Sequence, residues 1–202
     1  MIEKYLNLCK GSYKEPHRHF HDWNHISFGL DFFEKLKKGT LDQKIAWLFH
    51  DIVYNPSSKN NELDSSIIAV NTIKKQKDED IISLNKVSTI ILDTKEHIPT
   101  IEESKLVLDI DMAVLGLPEY DDFLNYRILA AQEYAHFGKD AVVSGTKKFI
   151  EQTLNKNRIY FSNDFLDFEY NARKNLEIFY STFENNKRFN NLFKTIKIKL
   201  KF

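Results

Sequence analysis

Six glycines, four prolines and one cysteine are all that 202 residues hold of the types that punctuate or staple a chain. A single thiol, Cys9, cannot close an internal disulfide, so the chain is no disulfide scaffold and suits a reducing compartment. Scarce Gly and Pro disfavour a meander of short strands and favour long helices. Charge of one sign is also missing: Lys plus Arg and Asp plus Glu each number 29. A neutral balance leaves no electrostatic footprint for a nucleic-acid polymer or an anionic membrane. No apolar run approaches the ~20 residues of a membrane span. The first residues, MIEKYLNLCKGSYKEPH, lack the long apolar core of a signal peptide, so a cytoplasmic protein is expected.

What is present is ordinary for a globular chain: 42% hydrophobic and 29% charged residues, enough to bury a sizeable core. A single helical domain over 1–202 is expected, with no internal repeat or low-complexity segment. Apolar residues recur at helical spacing through most of it. A first helix is expected over Met1–Cys9, then a turn over Gly11–Pro16. Trp23, Ile26, Leu30 and Phe33 form the stripe of a second helix ending near Gly39. Leu41, Ile45, Leu48 and Ile52 mark a third, followed by the polar loop Asn55–Asn60. Leu63, Ile67, Val70 and Ile73 are the expected inward face of the next, and Lys74–Asp80 is a solvated charge run. Ile81–His97 reads as helical, Thr100 and Glu103 as a capping box, and the helix after them runs to Gly116. Further helices are expected over Glu119–Phe137, with Phe123, Ile128 and Tyr134 inward, over Asp140–Leu154, and over Asp164–Phe183. At the C-terminus Ile196, Ile198, Leu200 and Phe202 alternate with lysines, a period of two that reads as an edge strand or a docked tail.

The third helix runs directly into His50-Asp51. Imidazole and carboxylate at the end of a greasy helix both need water or a partner, and burial without one costs several kcal/mol, in the range of about 2–7. A divalent cation satisfies both, as nitrogen and oxygen ligands. The dipeptide alone carries little weight, since His21-Asp22 repeats it. Its company carries more. His17, His19, His21 and His25 crowd one short stretch, His21 and His25 four apart and so on one expected helix face. His17 and His19 read best as solvated. Asp109 and Asp111 sit inside a mostly apolar turn, where a carboxylate needs a reason. One can face solvent, and we read Asp111 as the inward one. His25, His50, Asp51 and Asp111 then form a mixed N/O donor set. It suits Mn, Fe, Co, Ni, Mg or Zn in an open site, and a closed structural zinc site is disfavoured.

The order His … His-Asp … Asp on an all-helical chain resembles the HD-domain superfamily of metal-dependent phosphohydrolases. More narrowly, the chain is similar to a bacterial family of predicted HD phosphohydrolases of about this length. The matching stretches are RHFHDWNHI, AWLFHDIVYNP, NELDSS, LDTKEH, LDIDMAVLG, QEY and NARKNLE. The resemblance implies an all-α, HD-domain-like bundle, with a metal core over about 18–115, C-terminal helices over 118–184 and a tail over 185–202. It implies His25, His50, Asp51 and Asp111 as metal ligands, Asp111 being the second aspartate of LDIDMAVLG. Arg18 and His21 match the family's entry motif. Arg18 would hold a phosphate oxygen by paired hydrogen bonds or pair structurally with a carboxylate. Glu62 would orient a ligand histidine or simply belong to a first helical turn. His97 would approach the metal, donate a proton, or bind a second metal. Where the family has basic residues, this chain has Ala131 and Thr146, which leaves substrate preference open. The implied activity is hydrolysis of a phosphate ester or anhydride, a nucleotide by family analogy, with a small phosphorylated molecule as partner. The alternatives are a non-catalytic ligand-binding or sensor protein stapled by metal, and a dinuclear-iron oxygenase on the same scaffold.

Overall fold

A computed structural model describes residues 1–184 of the chain. Among the described residues it is all-helical, with no strand, as the sparse Gly and Pro suggested. The alternating stretch Ile196–Phe202, with its expected strand, lies outside the described residues. No helix among the described residues is long and apolar enough to cross a membrane. The chain divides into two compact units, Met1–Asp111 and the residues from Met112 onward.

The first unit holds α1 (Ile2–Cys9), α2 (Trp23–Leu36), α3 (Leu41–Phe49), α4 (Asn61–Gln76), α5 (Leu84–Asp93) and α6 (Ser104–Asp111). Its centre is α3, which packs against α1, α2, α4, α5 and α6. Ile45, Ala46, Trp47 and Leu48 are fully buried in succession, the mark of a helix enclosed on every side. Each large apolar side chain so enclosed contributes about 1.5–3 kcal/mol. A capping box starts it: the Thr40 hydroxyl accepts from the Gln43 N–H at 3.3 Å and the Gln43 amide oxygen accepts from the Thr40 N–H at 2.8 Å. The Gln43 amide also donates to the Glu103 carbonyl at 2.7 Å, tying α3 to the entry of α6.

Several local expectations are corrected. Helix α2 ends with Lys37, not Gly39, in the left-handed region (φ 52°). Gly39 (φ 97°) instead leaves room for the Phe33 ring, which a Cβ there would meet at 2.4 Å. On α4, Leu63 and Ile67 are 48% and 50% exposed, and the inward face is Ser65, Ser66, Ala69 and Ile73. Small side chains let α4 approach α5 closely, with the Ser66 and Ser88 hydroxyls 2.8 Å apart. Asp78, in the expected solvated charge run, is buried and accepts from Lys4 Nζ and the Tyr5 hydroxyl, both at 2.7 Å. Thr100 does not box with Glu103. It bonds Asp93, while Glu103 pairs with Lys86 at 2.6 Å.

The second unit opens with a 3-10 segment, Met112–Gly116, followed by α7 (Tyr120–Glu133), α8 (Lys139–Leu154) and α9 (Leu166–Glu184). Helix α9 packs against the 3-10 segment and α8. Asn175 Nδ2 donates to the Leu115 and Leu117 carbonyls at 3.0 and 2.9 Å, and the Tyr160 hydroxyl donates to the Met112 carbonyl at 2.9 Å. These side chains satisfy carbonyls that the short 3-10 turn leaves unpaired. Phe123 meets Phe179 edge-on with 5.8 Å between centroids. Tyr134, expected inward, is exposed, because α7 ends at Glu133 just before it.

Candidate metal centre

Three elements of the first unit bring the four expected donors together. The Asp22 carboxylate caps α2, accepting from the Asn24 and His25 N–H groups at 2.8 and 3.3 Å, and so fixes His25 in the first helical turn. His50 is the residue on which α3 ends, and Asp51 follows it out of the helix. Asp111 is the last residue of α6.

The donor atoms converge tightly. His25 Nε2 lies 3.2 Å from His50 Nε2, 3.2 Å from Asp111 Oδ1 and 3.8 Å from Asp51 Oδ2. His50 Nε2 lies 2.9 Å from Asp51 Oδ2 and 3.7 Å from Asp111 Oδ1. Donors sharing one ion at bonds of about 2.1 Å stand roughly 3.0–3.4 Å apart along the edges of an octahedron or tetrahedron. The observed spacings bracket that range. His25, His50 and Asp111 form a group able to hold a metal ion, and the Asp51 carboxylate joins its rim. Both imidazoles are 1% exposed, Asp51 15% and Asp111 12%.

His50 faces the centre with its bonding settled. Its Nδ1 donates to the Trp47 carbonyl at 2.8 Å, which aims Nε2 inward as the position a cation would take from a proton. His25 Nδ1 is buried with no hydrogen-bond partner. Trp47 walls both rings, 4.5 Å from His50 and 4.9 Å from His25 between centroids, and its indole N–H donates to the Ile26 carbonyl at 2.9 Å. Electrostatics express how crowded the centre is. Burial works to lower the His50 pKa, but Asp51 and Asp111 outweigh it and hold the imidazole well above its ordinary value. Burial works to raise Asp51 and Asp111. For Asp51 the charge of His50 reverses that, and for Asp111 the hydrogen bonds of His25, His50 and His97 do, so both stay well below the usual carboxylate range. Two anionic carboxylates against two inward nitrogens form a site whose protons a dication can replace.

The remaining expected residues surround this set differently. His97 Nε2 is 2.8 Å from Asp111 Oδ2. It is not at the end of a helix running from Ile81, because α5 stops at Asp93 and His97 stands in the left-handed region (φ 50°). His21 precedes α2, whose first residue is Trp23, so it does not share a helix face with His25. Its ring still lies 5.8 Å from His25 and 4.3 Å from Tyr54. Arg18 is fully buried as a side chain and bonded to protein: to Glu15 Oε2 at 2.8 Å, and to the carbonyls of His21, Asp51 and Ile52 at 3.0, 2.7 and 3.1 Å. Of its two expected roles this is the structural one, and it ties the His21 carbonyl to the carbonyls of Asp51 and Ile52. Glu62 is half-buried in the first turn of α4. His17 is not simply solvated, since its Nε2 lies 2.8 Å from the Tyr54 carbonyl.

Three contributors escaped the sequence reading. Asp109 is fully buried, so neither aspartate of the LDID turn faces solvent. Trp47 was legible only as a core residue. Asp93 accepts from the Thr100 N–H and the Thr100 and Ser104 hydroxyls at 2.8, 2.9 and 2.5 Å. A helix-terminal Asp followed by Thr and Ser beyond a Pro was the available signal for it. Comparisons of the chain with protein-family models, with curated proteins and with solved structures returned no match.

Proposed function

We propose that the protein is a metal-dependent phosphohydrolase of the HD type, cleaving a phosphate ester or anhydride, with nucleotides the first substrates to test. The observation that carries the reading is the convergence of His25, His50, Asp51 and Asp111, with His50 Nε2 aimed inward by the bond of Nδ1 to Trp47. A divalent cation bound there would supply Lewis acidity, activating water near neutral pH and polarising a phosphoryl oxygen. The chain's own groups do the rest. His25 and His50 offer neutral nitrogens, Asp51 and Asp111 offset the positive charge, and the buried indole of Trp47 excludes water from the back of the site. Arg18 holds the Asp51 backbone rather than substrate. His21 remains the candidate to steady charge on a leaving group, while His97 bonds Asp111 Oδ2.

The commitment of Arg18 to carbonyls favours a second reading, a metal-stapled binding or sensor protein without turnover, because it removes one expected phosphate contact. Elemental analysis with a phosphorylated-metabolite screen, on wild type and Asp51→Ala together, separates the two. The hydrolase reading expects a metal in wild type, phosphate release, and loss of both in the variant with its helical signal intact. Full activity of Asp51→Ala after chelation and metal refeeding overturns it. Bound metal without any turnover across the panel supports the staple.

A further inference from the structure

The two oxygens of Asp111 are divided between different tasks. Oδ1 faces the centre, 3.2 Å from His25 Nε2 and 3.7 Å from His50 Nε2. Oδ2 faces His97, with Nε2 at 2.8 Å. An imidazole N–H on Oδ2 takes one of that oxygen's lone pairs and turns the carboxylate so that Oδ1 leads toward the centre, which disfavours a two-oxygen grip on a cation. That constraint discriminates between ions. Calcium takes six to eight oxygens and accepts two-oxygen carboxylates at about 2.3–2.6 Å, whereas smaller divalent ions take near-octahedral sets of single donors at about 2.0–2.1 Å.

His97 is held to this task by its own segment. The chain leaves α5 at Asp93 and returns at Ser104, and the buried Asp93 carboxylate ties the return by accepting from the Thr100 N–H and from the hydroxyls of Thr100 and Ser104. Within that closed span His97 adopts φ 50°, a conformation a β-carbon residue holds only when its surroundings fix it. Lys95 Nζ donates to the Lys59 carbonyl at 2.6 Å, anchoring the span from the other side.

We propose that His97 is a positioning residue that selects the metal: it occupies Asp111 Oδ2, biases Asp111 toward one-oxygen ligation, and so favours a manganese-sized ion over calcium. The inference rests on the reading of these side chains as donors to one cation. The test is calorimetric titration of the chelated full chain with Mn²⁺ and with Ca²⁺, on wild type, His97→Ala, His97→Gln and Thr100→Val. Loss of a group that orients a ligand costs about 10–100-fold in metal affinity. His97→Ala is therefore expected to bind Mn²⁺ about tenfold or more weakly, with its Mn²⁺ to Ca²⁺ preference reduced by a similar factor. His97→Gln, whose amide nitrogen stands near the place of Nε2, restores much of both. Thr100→Val moves the preference the same way by less, and it decides the matter if His97→Ala loses its helical circular dichroism. An unchanged preference in the folded variants, with Mn²⁺ still bound, overturns the role of His97 alone. Failure of the wild type to bind Mn²⁺ overturns this role together with the metal-centre reading.

Discussion

Gly29 and Gly145 are both helical glycines, in α2 and α8, and the same substitution should move stability in opposite directions at the two. In an open helix interior, Gly→Ala gains about 1 kcal/mol through propensity and a less entropic unfolded chain. A Cβ at Gly145 meets nothing within 4 Å, so Gly145→Ala should show that gain. At Gly29 the new carbon would lie 2.1 Å from Trp47 Cζ2 and 2.2 Å from Cε2, where carbon pairs prefer about 3.5–4.0 Å. The indole cannot step aside cheaply, being fully buried and bonded through its N–H to the Ile26 carbonyl. Overpacking of this kind costs about 1–3 kcal/mol. With the upper end expected here and propensity subtracted, Gly29→Ala loses about 2 kcal/mol net. At roughly 2–4 °C per kcal/mol for a chain of this size, Tm falls by about 4–8 °C. Because Trp47 stacks on His50 and its carbonyl holds His50 Nδ1, Gly29→Ala should also weaken Mn²⁺ binding, while Gly145→Ala leaves it alone. Thermal melts by circular dichroism and a metal titration read both effects. A Gly29→Ala protein as stable as wild type would refute the packing argument.

Other expectations follow from single residues. Arg18→Lys removes a planar fork that reaches three carbonyls, so urea unfolding should show a loss of about 2–4 kcal/mol; a phosphate-contacting Arg18 would instead leave stability unchanged and raise KM. The Asp78 pKa is lowered by its hydrogen bonds from Lys4 and Tyr5. Its stabilisation is therefore fully present above the ordinary carboxylate range and is lost as pH falls through its depressed folded value. The Tm gap between wild type and Asp78→Asn should be widest above the ordinary carboxylate range and shrink as acid protonates Asp78; a gap independent of pH would contradict the ion pair. Cys9 is buried, and burial pushes its thiol up to about 12, so it should resist alkylation at about pH 8 in the folded chain and react in denaturant. Alkylation at equal rates in both would show that the α1 packing is wrong.

The helical class was legible because it rests on spacing along each helix; His25, His50, Asp51 and Asp111, on three separate elements, were singled out by the cost of burying polar groups and by the resemblance to the HD superfamily, not by any spacing between them. The errors fall where tertiary packing decides. On α4 the large apolar residues pointed to one face, but the close approach to α5 selects Ser65, Ser66 and Ala69 instead. The span from Asp93 to Ser104 misled for a related reason. Thr100 and Glu103 satisfy a local capping pattern, yet the Asp93 carboxylate competes for Thr100 and wins. A one-dimensional pattern does not contain that competition, so the placement of His97 against Asp111 could not be read from it. Arg18 shows the same limit: a guanidinium in an entry motif suits phosphate or backbone equally until the carbonyls of His21, Asp51 and Ile52 are seen to surround it.

Between the earliest and the latest of them, from His25 in α2 to Asp111 at the end of α6, the four converging side chains enclose α3, α4, α5 and most of the first unit. An ion seated among them would act as a clasp on a long loop, and fastening such a loop chiefly restricts the unfolded chain. Occupancy and cohesion of these helices would then be one property. Stripping the ion would slacken the helices from α2 to α6 together rather than a single corner of them.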